Sequence, residues 1–326
     1  MTRRPALRES RLVQVAVGAT MLAIPASAAA LADTPRSTAA AGQPGSANAI
    51  QASVKSRTIH YGRDVIVTGH APSSDAGQTL ALEFEATGSS SWRQLSSSKV
   101  RRDGGFRLAA PLSRSGSVRV TGTQPSPASP VPLAFPASSS STTPQPIAVA
   151  AAIRIPARAI NSLGGQAVVV RGKLLPAAAG RRVRLQALTG GRWHTLAAGR
   201  TSGRGGFALR YVPGATGQQR LRVRFAGDRL NAPASGRAGT LTTYRQSAAS
   251  WYNDGGSTAC GFHAYYGVAN VSLPCGTKVN FVYGGRTVTA VVDDRGPYVG
   301  GRVWDLNQNT AAALGFGGVD NVWSSI

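Results

Sequence analysis

The segment from Thr287 to Gly315 reads TVTAVVDDRGPYVGGRVWDLNQNTAAALG and gathers three carboxylates, two aromatics and several turn residues in one short stretch. Residues of these types, so close together, suit general acid–base chemistry: a carboxylic acid gives a proton, a second carboxylate takes one or the first is reused, and flat apolar faces pack on the aromatic rings. No glutamate follows Glu85, so the acid in this part of the chain must be Asp254, Asp293, Asp294, Asp305 or Asp320. Val288, Ala290 and Val292 alternate along one strand face, which predicts Asp294 on the core side where Arg295-Gly296-Pro297 ends the strand. Desolvation at such a strand end raises a carboxyl pKa toward what a general acid needs, making Asp294 the first catalytic candidate. Asp305, on a second predicted strand from Gly301 to Leu306, is the next, and Asp293 is expected to face solvent. The structural alternative for Asp294 is a carboxylate that accepts hydrogen bonds from the amides of its own turn.

Trp251, Tyr252, Tyr298 and Trp304 are candidate sugar platforms beside these acids. Period-two alternation turns Trp304 away from Asp305 and so favours the other three. Arg295 either clamps an acidic sugar substituent or pairs with a neighbouring aspartate. Asn307 reads as an N-cap, Gln308 to Leu314 as a short helix and Gly315 as its stop. Cys260 and Cys275 are the two cysteines of the chain; in an exported protein they read as one disulfide, the alternative being two buried thiols. Closing so short a loop stabilises a fold by roughly 3 kcal/mol. His60, His70, His194 and His263 are scattered without ligand spacing, so neither a metal nor another cofactor is expected.

The elements that would carry this chemistry lie at the end of a longer, all-β chain. Arg3, Arg4, Arg8 and Arg11 precede an apolar run from Leu12 to Ile24, with small residues up to Ala32. This reads as a secretory signal over 1–32, by the general or the twin-arginine route, with no transmembrane anchor after cleavage and a secreted or wall-associated product. A flexible leader is expected over 33–51. Two β-sandwiches of immunoglobulin-like type follow over 52–123 and 148–246, separated by a proline- and serine-rich linker at 124–147 that would let them act as separate beads. They repeat one pattern: Leu80-Leu82-Phe84, Trp92 and Gly104-Gly105-Phe106 in the first, Val183-Leu185-Ala187, Trp193 and Gly205-Gly206-Phe207 in the second. Trp to Phe is 14 residues in both copies. Each tryptophan is expected to be a core anchor, ahead of a sugar-stacking role.

The final part, 247–326, carries ASWYNDGGSTACG (249–261), GVANVSLPCGTKV (267–279) and GRTVTAVVDDRGPYVGGRVWDL (285–306), and with these motifs resembles the RlpA-like double-psi β-barrel family of septal lytic transglycosylases and expansin-like proteins. The resemblance implies a six-stranded barrel with a short helix and an open glycan groove. Asp294 matches the aspartate of the family's DRGP motif and Asp305 that of its DL motif. Phe262 and Asn270 stand where the family has a glutamate and a histidine. Asn270 is carried over as a glycan-binding position with Trp251, Tyr252, Arg295 and Tyr298, and His263 is expected on the opposite strand face from Phe262. Two activities follow from the resemblance: lytic cleavage of peptidoglycan by Asp294 with Asp305, or binding and loosening of wall glycan without hydrolysis, as in an expansin-like or adhesion module.

The formal charge of +23 is uneven: residues 1–246 hold 32 Lys or Arg against 8 acids, and 247–326 hold 4 against 5. Export, and the lack of any nucleic-acid motif, point the excess toward peptidoglycan-associated anionic envelope polymers and away from nucleic acid. The plain alternative is arginine spread over solvated strand faces.

Overall fold

The structure, a computed structural model, describes residues 49–123, 139–156 and 158–326. The signal expected over 1–32, nearly all of the leader and residues 124–138 of the expected linker lie outside them. Strands dominate, and no helix among the described residues is long and apolar enough to cross a membrane.

The first module runs β1 (Gln51–Val54), β2 (Thr58–His60), β3 (Asp64–His70), β4 (Thr79–Ala86), β5 (Arg93–Lys99), β6 (Gly105–Pro111), β7 (Gly116–Thr123), β8 (Ser139–Ser141) and β9 (Gln145–Ala150). A sheet in the order β1-β3-β6 faces one in the order β2-β9-β7-β4-β5, with β8 beside β7. Alternation dictates what lies between them: Val65 and Val67, Leu80 and Leu82, Phe106 and Leu108, Val118 and Val120 all point into one core. Residues 139–147, within the span expected as linker, are largely strand here. Their pairing with β7 completes the first sandwich.

The second module follows without a spacer: β10 (Ala152–Arg154), β11 (Arg158–Leu163), β12 (Val168–Leu175), β13 (Arg182–Thr189), β14 (Arg192–Arg200), β15 (Gly206–Tyr211), β16 (Gly217–Phe225) and the first half of β17 (Ala234–Tyr252). The sheet β10-β12-β15 faces β14-β13-β16-β17, with β11 parallel to β17. The same alternation fills its core, with Val183 and Leu185, Phe207 and Leu209, Leu221 and Val223. The two modules share even an irregularity, a register shift after Leu82 in β4 and after Leu185 in β13. The beads expected from the linker are docked. Asn231, fully buried, donates its amide to the Ser113 and Val149 carbonyls of the first module, while its Oδ1 accepts from Arg181. Arg181 is itself buried and paired with Asp228 at 2.8 Å.

Trp92 and Trp193 are not core anchors. Both lie half-exposed on an outer sheet surface, each beneath a guanidinium: Arg119 stands 4.2 Å from the Trp92 ring centre and Arg222 4.0 Å from that of Trp193. The cores are already filled by aliphatic and phenylalanine side chains, and a cation over the ring gives the indole a partner at the surface.

The last module has no spacer either, because β17 continues into it. From Arg245 onward β17 pairs with β22 (Asp320–Ser324) antiparallel and with β21 (Trp304–Asn307) parallel. The remaining strands are β18 (Gly267–Ala269), β19 (Lys278–Tyr283) and β20 (Arg286–Asp294). The order β17-β21-β18-β20-β19-β22 returns to β17, a six-stranded barrel closed on itself with two parallel pairs. Trp304, Phe281, Val279, Ala290, Val292 and Leu306 fill it, with the Trp304 and Phe281 rings edge to face at 5.0 Å. The helix α1 (Gln308–Leu314) forms as its residues predict: the Asn307 side chain accepts from the Thr310 amide at 2.9 Å, and Gly315 stops it in the left-handed region at φ 67°. The strand expected from Gly301 is shorter, beginning at Trp304, since Val299 to Arg302 form a turn.

Candidate functional site

The site is set by the register of four neighbouring strands. Ser250 of β17 stands beside Asp305 of β21, Asp305 beside Ala269 of β18, and Ala269 beside Asp294 of β20. Residues opposite one another across a sheet project to the same side, so both aspartates lie in one row with only an alanine methyl between them. Two strand spacings set their backbones roughly 10 Å apart. The Ser250 hydroxyl donates to Asp305 Oδ1 at 2.8 Å, and the Asp305 carboxylate makes no other hydrogen bond among the described residues. Burial pushes the Asp305 carboxyl up; Ser250 and then Arg302 pull it down, and the Asp294 charge adds a smaller upward push. Asp294 is differently held. Its Oδ1 accepts from the amides of Ala259 and Arg295, each at 2.8 Å, the second being the turn contact weighed as its structural role.

Asp293 corrects the solvent-facing expectation. The pairing of β18 with β20 slips between Val268 and Ala269, leaving Asp293 as the extra residue, and its side chain turns inward to 0% exposure. There Oδ2 accepts from Ala264 N at 2.8 Å and Oδ1 from Val268 N at 3.1 Å. Burial outweighs these bonds and raises its pKa. Gly267 makes the approach feasible, because a Cβ there would strike the Asp293 carboxylate.

The two adjacent aspartates thus pin one loop, residues 253–266, over the end of the barrel. Further ties come from the disulfide between Cys260 and Cys275, from Asn307 Nδ2 to the Ala264 and Tyr265 carbonyls, and from Gln308 to Asp254 at 2.6 Å. The Gln308 bond is the main cause that holds the Asp254 carboxyl below its ordinary value, with His263 at 3.6 Å a smaller one. Phe262 and His263 are both exposed in the irregular loop, so no strand alternation separates them. The loop presents Phe262, Tyr265 and Tyr266 to solvent, Tyr265 at 72% exposure. Trp251 and Tyr298, the latter 81% exposed, complete a set in which every exposed large aromatic among the described residues belongs to the barrel.

Residues 244–322 match the family model described as lytic transglycolase. The carboxy-terminal barrel is RlpA-like. Over 95 residues the chain is 38% identical to a Synechocystis sp. protein described as "Probable endolytic peptidoglycan transglycosylase RlpA"; the match covers 26% of this chain and 30% of that protein. The two sandwiches fall outside the matched family model.

Within the RlpA-like barrel the candidate binding residues divide. Trp251 and Tyr298 are open to a ligand. Tyr252 is half-buried, and its hydroxyl has no hydrogen-bond partner of good geometry. Burial, then the Asp294 and Asp293 charges, drive its pKa far up, so it stays protonated. Asn270 is buried and fully engaged: its Nδ2 donates to the Val303 carbonyl, and its Oδ1 accepts from the Ser272 and Leu273 amides. Arg295 is not paired with an aspartate among the described residues; it donates to the Asn270 carbonyl at 3.3 Å and to Cys275 Sγ at 3.0 Å. Trp304 is fully buried, as its alternation with Asp305 predicts. Sequence reasoning missed Tyr265, Tyr266 and the buried Asp293. An adjacent tyrosine pair ahead of Gly267, in a long irregular connection, was the available signal.

Proposed function

We propose that the protein is exported to the cell envelope, where its RlpA-like barrel binds a peptidoglycan glycan strand and cuts it lytically. The observation that carries this reading is the Ser250–Asp305–Ala269–Asp294 row, in a barrel that also carries every exposed large aromatic among the described residues. The environments divide the labour. Asp305, pushed up by burial and held by one hydroxyl, is the group suited to carry the proton to the glycosidic oxygen. Asp294, anchored by two backbone amides, is positioned to take the proton from the attacking sugar hydroxyl. This reverses the order of roles that alternation alone assigned to Asp294. Trp251, Tyr265 and Tyr298 supply flat apolar faces for the sugar rings.

A second reading, binding without cleavage, is favoured by one specific feature: Phe262, exposed, occupies the place of the family's glutamate. Co-sedimentation of the full chain with purified sacculi tests the part common to both readings. Retention is expected, and Tyr298→Ala with Tyr265→Ala should lower it at least tenfold, each lost stacking face being worth about 1 kcal/mol or more. Equal sedimentation of the double variant and the parent would remove the aromatic rim from the site.

A further inference from the structure

The outer face of the sheet β14-β13-β16-β17 sets like charges directly opposite one another. Arg184 of β13 faces Arg224 of β16, Arg222 of β16 faces Arg237 of β17, and Arg182 of β13 faces Arg200 of β14. Five of the six are exposed and Arg222 is half-exposed. Directly opposed like charges destabilise a sheet, so the arrangement needs a reason. No internal one is present: Asp228 is the sole acid between residues 151 and 246, against 17 Lys or Arg, and it is paired with Arg181. Among the described residues none of these six arginines makes an ion pair.

The first module supplies an internal control. Aligned on the shared register shift, Glu83 stands where the second module has Gln186, Glu85 where it has Leu188, Ser117 where it has Arg220 and Thr121 where it has Arg224. Arg119 is accordingly neutralised by Glu83 at 2.7 Å, whereas the equivalent Arg222 has no carboxylate beside it and donates to the Gln186 amide oxygen at 2.9 Å. Residues 49–150 hold 10 Lys or Arg against 5 acids. One scaffold, used twice, carries carboxylates on this face in the first copy, and in the second has none there and more arginines. This is more than arginine scattered over any solvated face. A depression of about 230 Å³ lined by Trp193, Arg220, Arg222 and Arg237 lies within the patch.

We propose that this arginine face is the docking site for a linear phosphodiester-linked polyol polymer of the cell envelope. Guanidinium groups bind phosphate oxygens in fork geometry, and several rows of them on a rigid sheet suit a repeating anion. A nucleic acid fits less well. Binding of single strands uses aromatic faces for the bases, and here Arg222 already covers the ring of Trp193 at 4.0 Å. The choice of an envelope polymer rests on the reading of the barrel. The site itself lies in a different module.

The test measures binding of the full chain to immobilised poly(glycerol phosphate) over a salt series, beside single-stranded DNA of equal charge and sacculi stripped of anionic polymer. Binding that weakens steeply with salt is expected. Arg184→Gln with Arg224→Gln should lower affinity at least tenfold while the melting temperature stays level or rises, because an opposed like-charge pair has gone. Retention on stripped sacculi should not change, which separates this proposal from the function of the barrel. Unchanged polymer affinity in that variant overturns the proposal. So does an equal loss from Arg57→Gln with Arg63→Gln in the first module, which would mark a general charge effect. Tighter binding of the DNA through the same two arginines would assign the face to nucleic acid instead.

Discussion

Sacculi digested with the Asp305→Asn protein are expected to release anhydro-muropeptides at least 100-fold more slowly than with the parent, as read by mass spectrometry. An asparagine keeps the shape and can still accept from the Ser250 hydroxyl, but it has no proton to give, and general acid catalysis contributes about 10²–10⁴-fold. The pH dependence follows from what surrounds the carboxyl. Burial favours the protonated form, so the acid stays competent above the ordinary carboxylate range, and the rate falls on the alkaline side as Asp305 ionises. Arg302 opposes this by stabilising the anion. Arg302→Gln should therefore move the alkaline limb to higher pH, a shift that a merely structural arginine would not produce. Asp294→Asn should also slow release, by removing the carboxylate that accepts the second proton. Equal anhydro-product from parent, Asp305→Asn and Asp294→Asn would leave the barrel as a glycan-binding module, the reading that Phe262 favours.

What was legible in the sequence was local. The short helix, its Asn307 cap and its Gly315 stop were fixed by neighbours within a few residues, and the structure has them at those positions. So was the phase of Trp304 against Asp305, which one strand sets by itself. Non-local pairing was harder to see. The composition of 124–147 reads as linker, yet the part from Ser139 onward gains backbone partners on β7, its prolines and serines notwithstanding. Period-two counting failed at Asp293 and Asp294 because a slip opposite Ala269 adds one residue to β20, and only the neighbouring strand reveals the slip. The tryptophans were misjudged for a related reason: the cations that give them a surface role, Arg119 and Arg222, arrive from other strands 27 and 29 residues downstream. The RlpA-like motifs pointed to the candidate site, and strand pairing then decided which acid in it is buried and which is anchored by backbone amides.

The buried aspartate carries the largest stability effect expected in the barrel. Asp293→Asn should cost about 2–3 kcal/mol, read as a lowered urea midpoint. The two amides that Asp293 serves approach different oxygens, Ala264 N at Oδ2 and Val268 N at Oδ1, and an asparagine turns one of those acceptors into a donor facing another donor. An unsatisfied buried group of that kind costs about 1–3 kcal/mol, on top of the lost bond. The sign of the pH effect is opposite to that of an ordinary paired carboxylate. Because the folded pKa of Asp293 is raised, the folded state holds the proton more tightly, and this contribution to stability falls as pH climbs from the unfolded value of ~3.9 through the folded one. In Asp293→Asn that part of the slope should vanish, leaving the opposite trend from Asp254, whose lowered pKa adds stability as pH rises through the acid range. A midpoint within about 0.5 kcal/mol of the parent, with an unchanged slope, would mean that the loop is held by the disulfide and Asn307 without help from Asp293. If the expected loss is found, glycan retention should fall with it, because the same two amide bonds hold the loop that presents Phe262, Tyr265 and Tyr266.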